Sequence, residues 1–280
     1  MTGKITLAML AFAANSLLCR VALKGLHIDP FSFSALRLLG GAFVLFILLR
    51  KPFLNRQVEW RLPNALFLAL YVFAFSLAYM HLGAAEGALL LFGTVQLVMT
   101  GWGFYRGEKL SILKCTGIGL AVAGIAYLLL PGASSPPFGP AAIMVLSGAG
   151  WAAYSIAGKR VNNATAATAG SFILAAPLGI VLTLALHQTA HSDASGVLLA
   201  LVSGGLTSGA AYALWYAIVP SLTVSTASTV QLSVPCLSAL GGAMFLGEQL
   251  SLQLIVSTIA VITGIALAIL ADKQSRAKNH

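Results

Sequence analysis

The stretch "GEKLSILKCTGIGLAVAGIAYLLL" at Gly107–Leu130 returns later in the chain as "GEQLSLQLIVSTIAVITGIALAIL" at Gly247–Leu270. Aligned without a gap, the two stretches are identical at eight of 24 positions. Both open with Gly-Glu-x-Leu-Ser, and both carry Gly-Ile-Ala further on. The offset of 140 residues is half of the 280-residue chain, so the sequence indicates an internal duplication.

The composition is that of a chain surrounded by lipid. Hydrophobic residues make up 59% of it and charged residues only 8%, whereas soluble domains are about 25% charged. Apolar runs of near 20 residues recur, and each is long enough to cross roughly 30 Å of hydrocarbon. A helix satisfies its backbone polar groups within its own segment, and a β-barrel would show short alternating segments instead. The sequence therefore predicts an all-α integral membrane protein.

Ten apolar spans divide the chain into two halves. They cover residues 5–24, 31–49, 63–82, 87–105, 112–130, 140–158, 166–187, 196–219, 226–246 and 251–271. The uncharged, proline-rich segment 131–139 predicts a linker. The predicted organisation is a first five-helix repeat at 1–130, the linker, a second five-helix repeat at 140–271, and a basic cytoplasmic tail at 272–280.

The second repeat is predicted to be inverted relative to the first. Each half holds five spans, an odd number, so the second copy enters the membrane from the opposite side. Glu108 is thus expected to face the cytoplasm and Glu248 the outside. Inverted repeats are typical of carriers that expose a midplane site to each side in turn. A larger bundle without transport activity is the alternative interpretation.

The basic residues predict the orientation of the chain. Thirteen of the 16 lie on the side of the N-terminus: Lys4, Arg50, Lys51, Arg56, Arg61, Arg106, Lys109, Lys114, Lys159, Arg160, Lys273, Arg276 and Lys278. The positive-inside rule therefore predicts that both termini are cytoplasmic. Because the charge of +9 lies in short loops between apolar runs, we expect lipid, and no nucleic acid, as the partner of these residues.

The motifs of the two halves resemble those of the EamA family within the drug/metabolite transporter superfamily. The resemblance covers nearly the whole chain. It rests on the paired "FYRGEKLS" and "MFLGEQLS", on the lysines that close spans 1 and 6, on Trp151, and on "SALRLLGGAF" in span 2. It implies export of small metabolites, often amino acids, across the bacterial inner membrane. Span 1 departs from the family pattern, because Asn15-Ser16 stands where the family often has a Trp.

Aromatic residues of spans 3 and 8 are candidate substrate contacts. Tyr71, Phe75 and Tyr79 form an i, i+4, i+8 stripe, and Tyr212 and Trp215 lie in the repeat partner of that span. Tyr and Trp combine an apolar body with a hydrogen-bonding tip, which suits a pocket for amphipathic or aromatic solutes. These aromatics make the chain resemble the aromatic amino acid exporters of the family. Core packing or an interfacial aromatic belt is the alternative.

Polar residues inside the spans are further candidates for the binding site. Gln96 in span 4 and Gln231 in span 9 lie well inside apolar runs, where an amide needs a partner on another helix or water in a cavity. The predicted pocket is completed from spans 1 and 6 by Asn15, Ser16, Trp151 and Tyr154. A helix–helix hydrogen bond is the alternative role for the two glutamines.

Charged and titratable residues near the predicted outer ends of the spans are candidate gating groups: Arg20, Arg37, His81 and Glu86. A pair between an arginine and Glu86, with Arg37 as the specific candidate, is predicted to close the outer gate. Snorkelling of the arginines to the interface is the alternative. His81 is a candidate for proton coupling. Since no Asp lies in a span and no carboxylate lies deep in one, facilitated diffusion or exchange is favoured over a proton-driven pump.

An intramembrane enzyme is the main alternative class of function. A zinc protease would need His-Glu-x-x-His, which the sequence lacks, and we expect neither a metal nor a cofactor. A multidrug or lipid transporter of the same fold stays open, because that choice depends on the size of the pocket. The sequence also leaves open whether the protein is a monomer or a homodimer.

The predicted topology can be tested by labelling single cysteines introduced into a cysteine-free background. We expect Ser251→Cys to react with an impermeant maleimide from outside and Ser111→Cys to react only from inside. Labelling of both positions from the same side would contradict the inverted repeat.

Overall fold

The computed structural model describes residues 2–50, 58–107, 111–132, 135–158, 163–185, 190–218, 221 and 230–277, with side chains up to residue 271. Within these ranges every regular element is helical, apart from an isolated bridge between Ile28 and Ser192. The predicted all-α fold class is confirmed. Several features singled out above lie outside the described residues: the start of the ninth span at 226, the end of the basic tail at 278–280, and the residues Lys51, Arg56, Glu108, Lys109, Lys159, Arg160 and Lys278.

Ten helices follow one another along the described chain. They are α1 (Thr2–Lys24), α2 (Pro30–Leu48), α3 (Leu62–Tyr79), α4 (Ala84–Tyr105), α5 (Ile112–Leu129), α6 (Phe138–Gly158), α7 (Ala164–Ala185), α8 (Ala194–Ile218), α9 (Ser233–Leu246) and α10 (Leu252–Ala277). Within the described ranges, nine of them, all except the 14-residue α9, are long and apolar enough to cross a membrane. The protein is therefore a multi-pass membrane protein.

The duplicated Gly-Glu-x-Leu-Ser motif is a connection between two helices. Its glycine has a left-handed backbone in both copies, with φ of 92° at Gly107 after α4 and 62° at Gly247 after α9, and this conformation ends a helix at little cost only with glycine. Its serine is the N-cap of the next helix. The hydroxyl of Ser111 accepts from the amide of Lys114, and that of Ser251 accepts from the amide of Leu254. The motif therefore recurs because each repeat needs the same turn before its last helix.

The crossing of α5 and α10 displays the inverted repeat directly. A Cβ on Gly117 would stand 2.5 Å from the carbonyl oxygen of Gly264, and one on Gly264 would stand 2.6 Å from the amide nitrogen of Ala121. A Cβ on Gly124 would stand 2.9 Å from Val261. At an offset of 140, Ala121 corresponds to Val261 and Gly124 to Gly264, so Gly264–Ala121 and Gly124–Val261 are the same contact in two copies. Because residues further along α5 contact residues earlier in α10, the two helices are antiparallel.

The remaining helices follow the same pseudo-twofold pattern. α2 packs against α7 and α4 against α9, which are also repeat partners. α6 packs against both α3 and α4, and its repeat partner α1 packs against both α8 and α9. The helices α1, α3, α4, α6 and α8, together with the residues that lead into α9, meet around a central cavity. The site is therefore built from both halves of the chain.

Helix α8 is interrupted in its middle. Residues Gly205–Ala210 form a π-helical segment between two α-helical parts, a deviation that often occurs at functional sites. Here α2 lies directly against α8, because a Cβ on Gly204 would collide with the backbone of Arg37. The segment therefore brings the polar side chains of α8 close to both the cavity and the interior face of α2.

A loop-to-loop contact joins the two halves at one end of the bundle. The ring of His27, after α1, lies 2.7 Å from the carboxylate of Asp193, the N-cap of α8. The hydrogen bond to His27, together with one from the amide of Gly196, lowers the pKa of the Asp193 carboxyl. The contribution of the Asp193 carboxylate to the stability of the fold is thus present at neutral pH, and it is lost as the pH falls through that lowered pKa.

The α5–α10 crossing yields a test with a matched control on the same helix. Gly117→Ala places a methyl group against the backbone of α10, and overpacking of this kind destabilises a protein by about 1–3 kcal/mol. Gly119 has open space around it, so Gly119→Ala is expected to be neutral or slightly stabilising. Thermal unfolding of the purified variants in one detergent measures the difference, and equal melting temperatures would contradict the close crossing.

Candidate functional site

A small cavity lies where the helices of the two repeats meet. Its volume is about 30 Å3, enough for roughly two water molecules and too small for an amino acid. It is lined by Phe12, Asn15, Ser16, Tyr71, Phe75, Leu91, Phe92, Trp151, Thr207, Tyr212 and Gln231. We call this space the central cavity. Seven of the eleven residues predicted for the pocket line it: Asn15, Ser16, Tyr71, Phe75, Trp151, Tyr212 and Gln231.

Aromatic rings from both repeats form most of the cavity wall. The ring of Trp151 on α6 lies 4.9 Å from that of Tyr71 on α3 and 5.1 Å from that of Tyr212 on α8. Phe75 lies 5.5 Å from Tyr71, and Phe12 on α1 lies 5.8 Å from Tyr212. These separations are typical of favourable tilted and edge-to-face pairs. The wall can therefore contact an apolar or aromatic group with ring faces and offer hydroxyl groups beside them.

The polar part of the wall is organised by Asn15 on α1. Its side-chain oxygen accepts hydrogen bonds from the hydroxyl of Ser203 at 2.7 Å and from that of Thr207 at 3.3 Å, both on α8. Thr207 lies in the π-helical segment. Because the carbonyl oxygen of Asn15 is engaged in this way, its orientation in the wall is fixed.

Four predicted binding residues lie outside the cavity wall, and three of them have partners that explain their positions. The Tyr79 hydroxyl donates to the carbonyl of Ala84, and the Tyr154 hydroxyl donates to Thr168. Trp215 is buried with its ring against Phe12. Gln96 is half-buried on α4, one turn beyond the cavity-lining Phe92.

Four cavity residues were not singled out from the sequence: Phe12, Leu91, Phe92 and Thr207. Phe12 precedes Asn15 by three residues and Phe92 precedes Gln96 by four, so helical spacing from a predicted polar residue would have found both. Thr207 is part of a rare polar Thr-Ser pair inside span 8. Leu91 has no distinguishing signal, because it is one apolar residue in an apolar run.

An ion pair closes one end of the central helices. The Nε of Arg20 on α1 donates to Oε1 of Glu248 at 3.1 Å. The Nη1 of Arg20 also donates to the carbonyl oxygens of Tyr79 and Met80 at the C-terminus of α3, and Oε2 of Glu248 accepts from the amide of Ala84 at the N-terminus of α4. We call Arg20 and Glu248 the closure pair. The cation lies at the negative end of one helix dipole and the anion at the positive end of another.

The predicted pairing of Arg37 with Glu86 is wrong. Arg20, the other candidate arginine, forms its ion pair with Glu248 and not with Glu86. The carboxylate of Glu86 accepts from the amide of Gly83 and thereby caps its own helix. Helix α2 turns the side chain of Arg37 into the protein interior, where it is fully buried. His81 is exposed in the turn between α3 and α4, at the same end as the closure pair, and its gating role stays a prediction.

A wide groove opens at the other ends of α3 and α4. Its volume is about 890 Å3, and it lies between the start of α3, the last turns of α4 and the last turns of α6. Aromatic residues such as Trp60, Phe67, Trp102 and Tyr105 line it. We call it the side groove. One end of the helices around the central cavity is thus joined by the closure pair, while the other end is splayed.

The described residues contain no group of three His, Cys, Asp or Glu side chains that could hold a metal ion. Among the described residues that line the central cavity, none carries a carboxylate, thiol or imidazole. Its chemistry is that of ring faces, hydroxyls and amides, which bind a solute through stacking and hydrogen bonds.

Removal of the charge of Glu248 should loosen the closed end. Hydrogen bonds to charged groups contribute about 1.5–3 kcal/mol, so Glu248→Gln is expected to raise the open population about tenfold or more. The readout is the maleimide labelling rate of Ser16→Cys, a buried cavity position, in a cysteine-free background in detergent. Glu86→Gln is the matched control, because an amide still accepts from Gly83. Equal labelling rates in the two variants would contradict closure by the pair.

The helix ends around the closure pair predict that a charge swap will not restore closure. In Arg20→Glu/Glu248→Arg, the new carboxylate faces two carbonyl oxygens and the new guanidinium faces an amide N–H. The double variant should therefore label as fast as the faster single variant. Recovery of the wild-type labelling rate would show that closure depends only on the attraction between the two charges and not on their hydrogen bonds to the backbone.

Comparison with known proteins gives consistent results. The sequence profile described as the EamA-like transporter family matches residues 4–130 and again residues 140–270. An uncharacterised protein of Pseudomonas aeruginosa is 48% identical over 274 residues, which are 97% of this chain and 94% of the relative. A protein of known crystal structure shares the fold, with a TM-score of 0.66 and 22% identity over 96% of this chain and 98% of its own. Because both halves match the family separately, the chain belongs to the EamA-like transporter family.

Proposed function

We propose that the protein carries neutral amino acids with bulky, chiefly aromatic, side chains across the membrane through the central cavity. The observation that carries this proposal is the cage of tyrosine, tryptophan and phenylalanine rings, with hydroxyl and amide groups between them, at the meeting point of the two repeats. Ring faces suit the side chain of the solute. The hydroxyls and the amide of Gln231 suit its polar end.

The arrangement of the two ends supports transport by alternating access. Carriers built from inverted repeats expose a shared site by rocking one half against the other. Here the closure pair joins α1, α3, α4 and the turn before α10 at one end, and the side groove separates α3 from α4 at the other. The cavity is too small for the solute in this state, so binding requires α3, α4 and α6 to separate around it.

The proposed direction is export across the bacterial inner membrane. The positive-inside rule assigns the closed end to the outside and the side groove to the cytoplasm. A solute would then enter from the cytoplasm between α3, α4 and α6, and it would leave after the closure pair opens. The resemblance to amino acid exporters in the two repeats agrees with this direction.

The side groove favours a second candidate function. It is far larger than the central cavity and is lined by exposed aromatic residues such as Trp102 and Tyr105, which suits a lipid or a bulky drug. In that case the substrate would bind between α3 and α4. Scrambling of a fluorescent lipid in the same proteoliposomes, with Trp102→Ala abolishing it, would favour this alternative.

Trp151 provides the direct test of the cavity. A stacking contact contributes about 0.5–1.5 kcal/mol beyond area burial, so Trp151→Ala should weaken the apparent affinity for phenylalanine roughly threefold to tenfold. Tyr127→Ala is the matched control, since Tyr127 is an exposed aromatic on α5 and is not one of the residues that line the cavity. The measurement is flux of phenylalanine, tryptophan and threonine in proteoliposomes, normalised to inserted protein.

Two outcomes of the flux measurement would contradict the proposal. Wild-type protein that moves none of the three amino acids would reject the substrate class. Trp151→Ala with wild-type flux at subsaturating phenylalanine would reject the central cavity as the binding site, even if the wild type transports amino acids.

A further inference from the structure

The most unusual charge in the described bundle is that of Arg37. Its side chain is fully buried about two turns into α2. Its Nε donates to the hydroxyl of Ser208 and its Nη2 to the hydroxyl of Tyr71, at 3.1 and 2.9 Å. Its Nη1 has no hydrogen-bond partner within the described part of the chain. All of these partners are neutral.

No described carboxylate neutralises this guanidinium. The described acidic side chains bond elsewhere: Asp29 caps α2, Glu59 pairs with Arg61, Glu86 caps α4, Asp193 contacts His27, and Glu248 pairs with Arg20. The two remaining acidic residues, Glu108 and Asp272, lie in the sequence at the ends of spans rather than within them. A buried charge without a counterion is strongly unfavourable, and an ionisable residue inside a membrane span is therefore a candidate for function.

The charge lies directly behind the wall of the central cavity. The guanidinium carbon of Arg37 is 5.2 Å from the ring centre of Tyr71 and 4.8 Å from that of Phe75, and both rings line the cavity. The Tyr71 oxygen accepts from Arg37, and a hydroxyl polarised in this way becomes a stronger donor. Ser208 follows Thr207 in the π-helical segment, so a second cavity residue lies next to an Arg37 partner.

We propose that Arg37 sets the charge class of the substrate: the central cavity binds a carboxylate, through the Tyr71 hydroxyl and the free Nη1 of Arg37, and rejects organic cations. This inference rests on the proposed function, because it concerns the same cavity, and it adds the polar group that the substrate must carry. A guanidinium with a free N–H matches a carboxylate. A low-dielectric surrounding strengthens its attraction for anions and its repulsion of cations.

The test uses four ligands with the same phenyl ring and different charges: phenylalanine, 3-phenylpropanoate, phenethylamine and phenylalaninamide. Binding to the purified full-length protein in nanodiscs is measured by thermal shift and by titration. We expect phenylalanine and 3-phenylpropanoate to bind at least tenfold more tightly than phenethylamine and phenylalaninamide. Equal affinity for 3-phenylpropanoate and phenethylamine in the wild type would overturn the proposal without any variant.

Variants assign the selectivity to Arg37. Arg37→Met should reduce the preference for 3-phenylpropanoate over phenethylamine by about tenfold or more, because a hydrogen bond to a charged group is lost, whereas Arg37→Lys should keep part of it. Lys24→Met is the matched control, since it removes an exposed charge at the end of α1. A merely structural role for Arg37 would lower the affinity for all four ligands alike. An unchanged ratio in Arg37→Met would overturn the proposal.

The outcomes separate this inference from the proposed function. If 3-phenylpropanoate binds with an Arg37-dependent preference but no amino acid is transported, the proposed function is wrong and the carboxylate site stands. If amino acids are transported while phenethylamine binds as tightly as 3-phenylpropanoate, the proposed function stands and the carboxylate site is wrong. If Arg37→Met does not fold, the carboxylate site is tested by the affinity ratio of the wild type for 3-phenylpropanoate over phenethylamine and by the variant Tyr71→Phe. Tyr71→Phe should weaken the binding of phenylalanine and 3-phenylpropanoate more than that of phenethylamine and phenylalaninamide.

Discussion

A bilayer offers no hydrogen-bond partner to a polar group, so a charge inside the bundle must find its partners within the protein. The closure pair meets this requirement with parts of three helices and the turn before α10. Arg20 on α1 reaches the last carbonyls of α3, and Glu248, just before α10, reaches the first amide of α4. Satisfying these two charges therefore fixes how α1, α3 and α4 meet the end of the second repeat. The closed end of the molecule follows from this one arrangement.

The two buried arginines show how the same side chain serves opposite purposes. Arg20 has a carboxylate and two carbonyl oxygens around it, so its charge is compensated and its effect is to hold helices together. Within the residues that the structure describes, Arg37 has only neutral partners and one N–H group without a partner, behind the cavity wall. The difference lies in their surroundings: Arg20 faces the ends of two helices, where backbone groups are unpaired, whereas Arg37 faces the middle of helices whose backbone groups are already bonded.

The duplication explains the architecture but does not make the two ends of the molecule equivalent. The glycine and serine of the repeated motif perform the same capping roles in both halves, and the α5–α10 crossing obeys the 140-residue offset. In contrast, the offset of 135 residues between α1 and α6, read from Lys24 and Lys159, places Ser155 where the first repeat has Arg20. The Ser155 hydroxyl bonds to the carbonyl of Trp151 within its own helix. The arginine of the closure pair thus has no equivalent in the second repeat.

The sequence by itself determined the number and order of the helices, the two inverted repeats and seven residues of the cavity wall. These features follow from the length of apolar runs, from an offset that can be counted, and from the rarity of polar and aromatic residues in the middle of a span. Only the tertiary structure decided that Arg20 pairs with Glu248, 228 positions away, that Arg37 faces inward, and that Trp215 packs behind Phe12. In a membrane protein both the lipid-facing and the interior side of a helix are apolar. The periodicity of apolar residues therefore does not reveal how each helix is rotated about its axis. That rotation determines which partner each polar side chain meets.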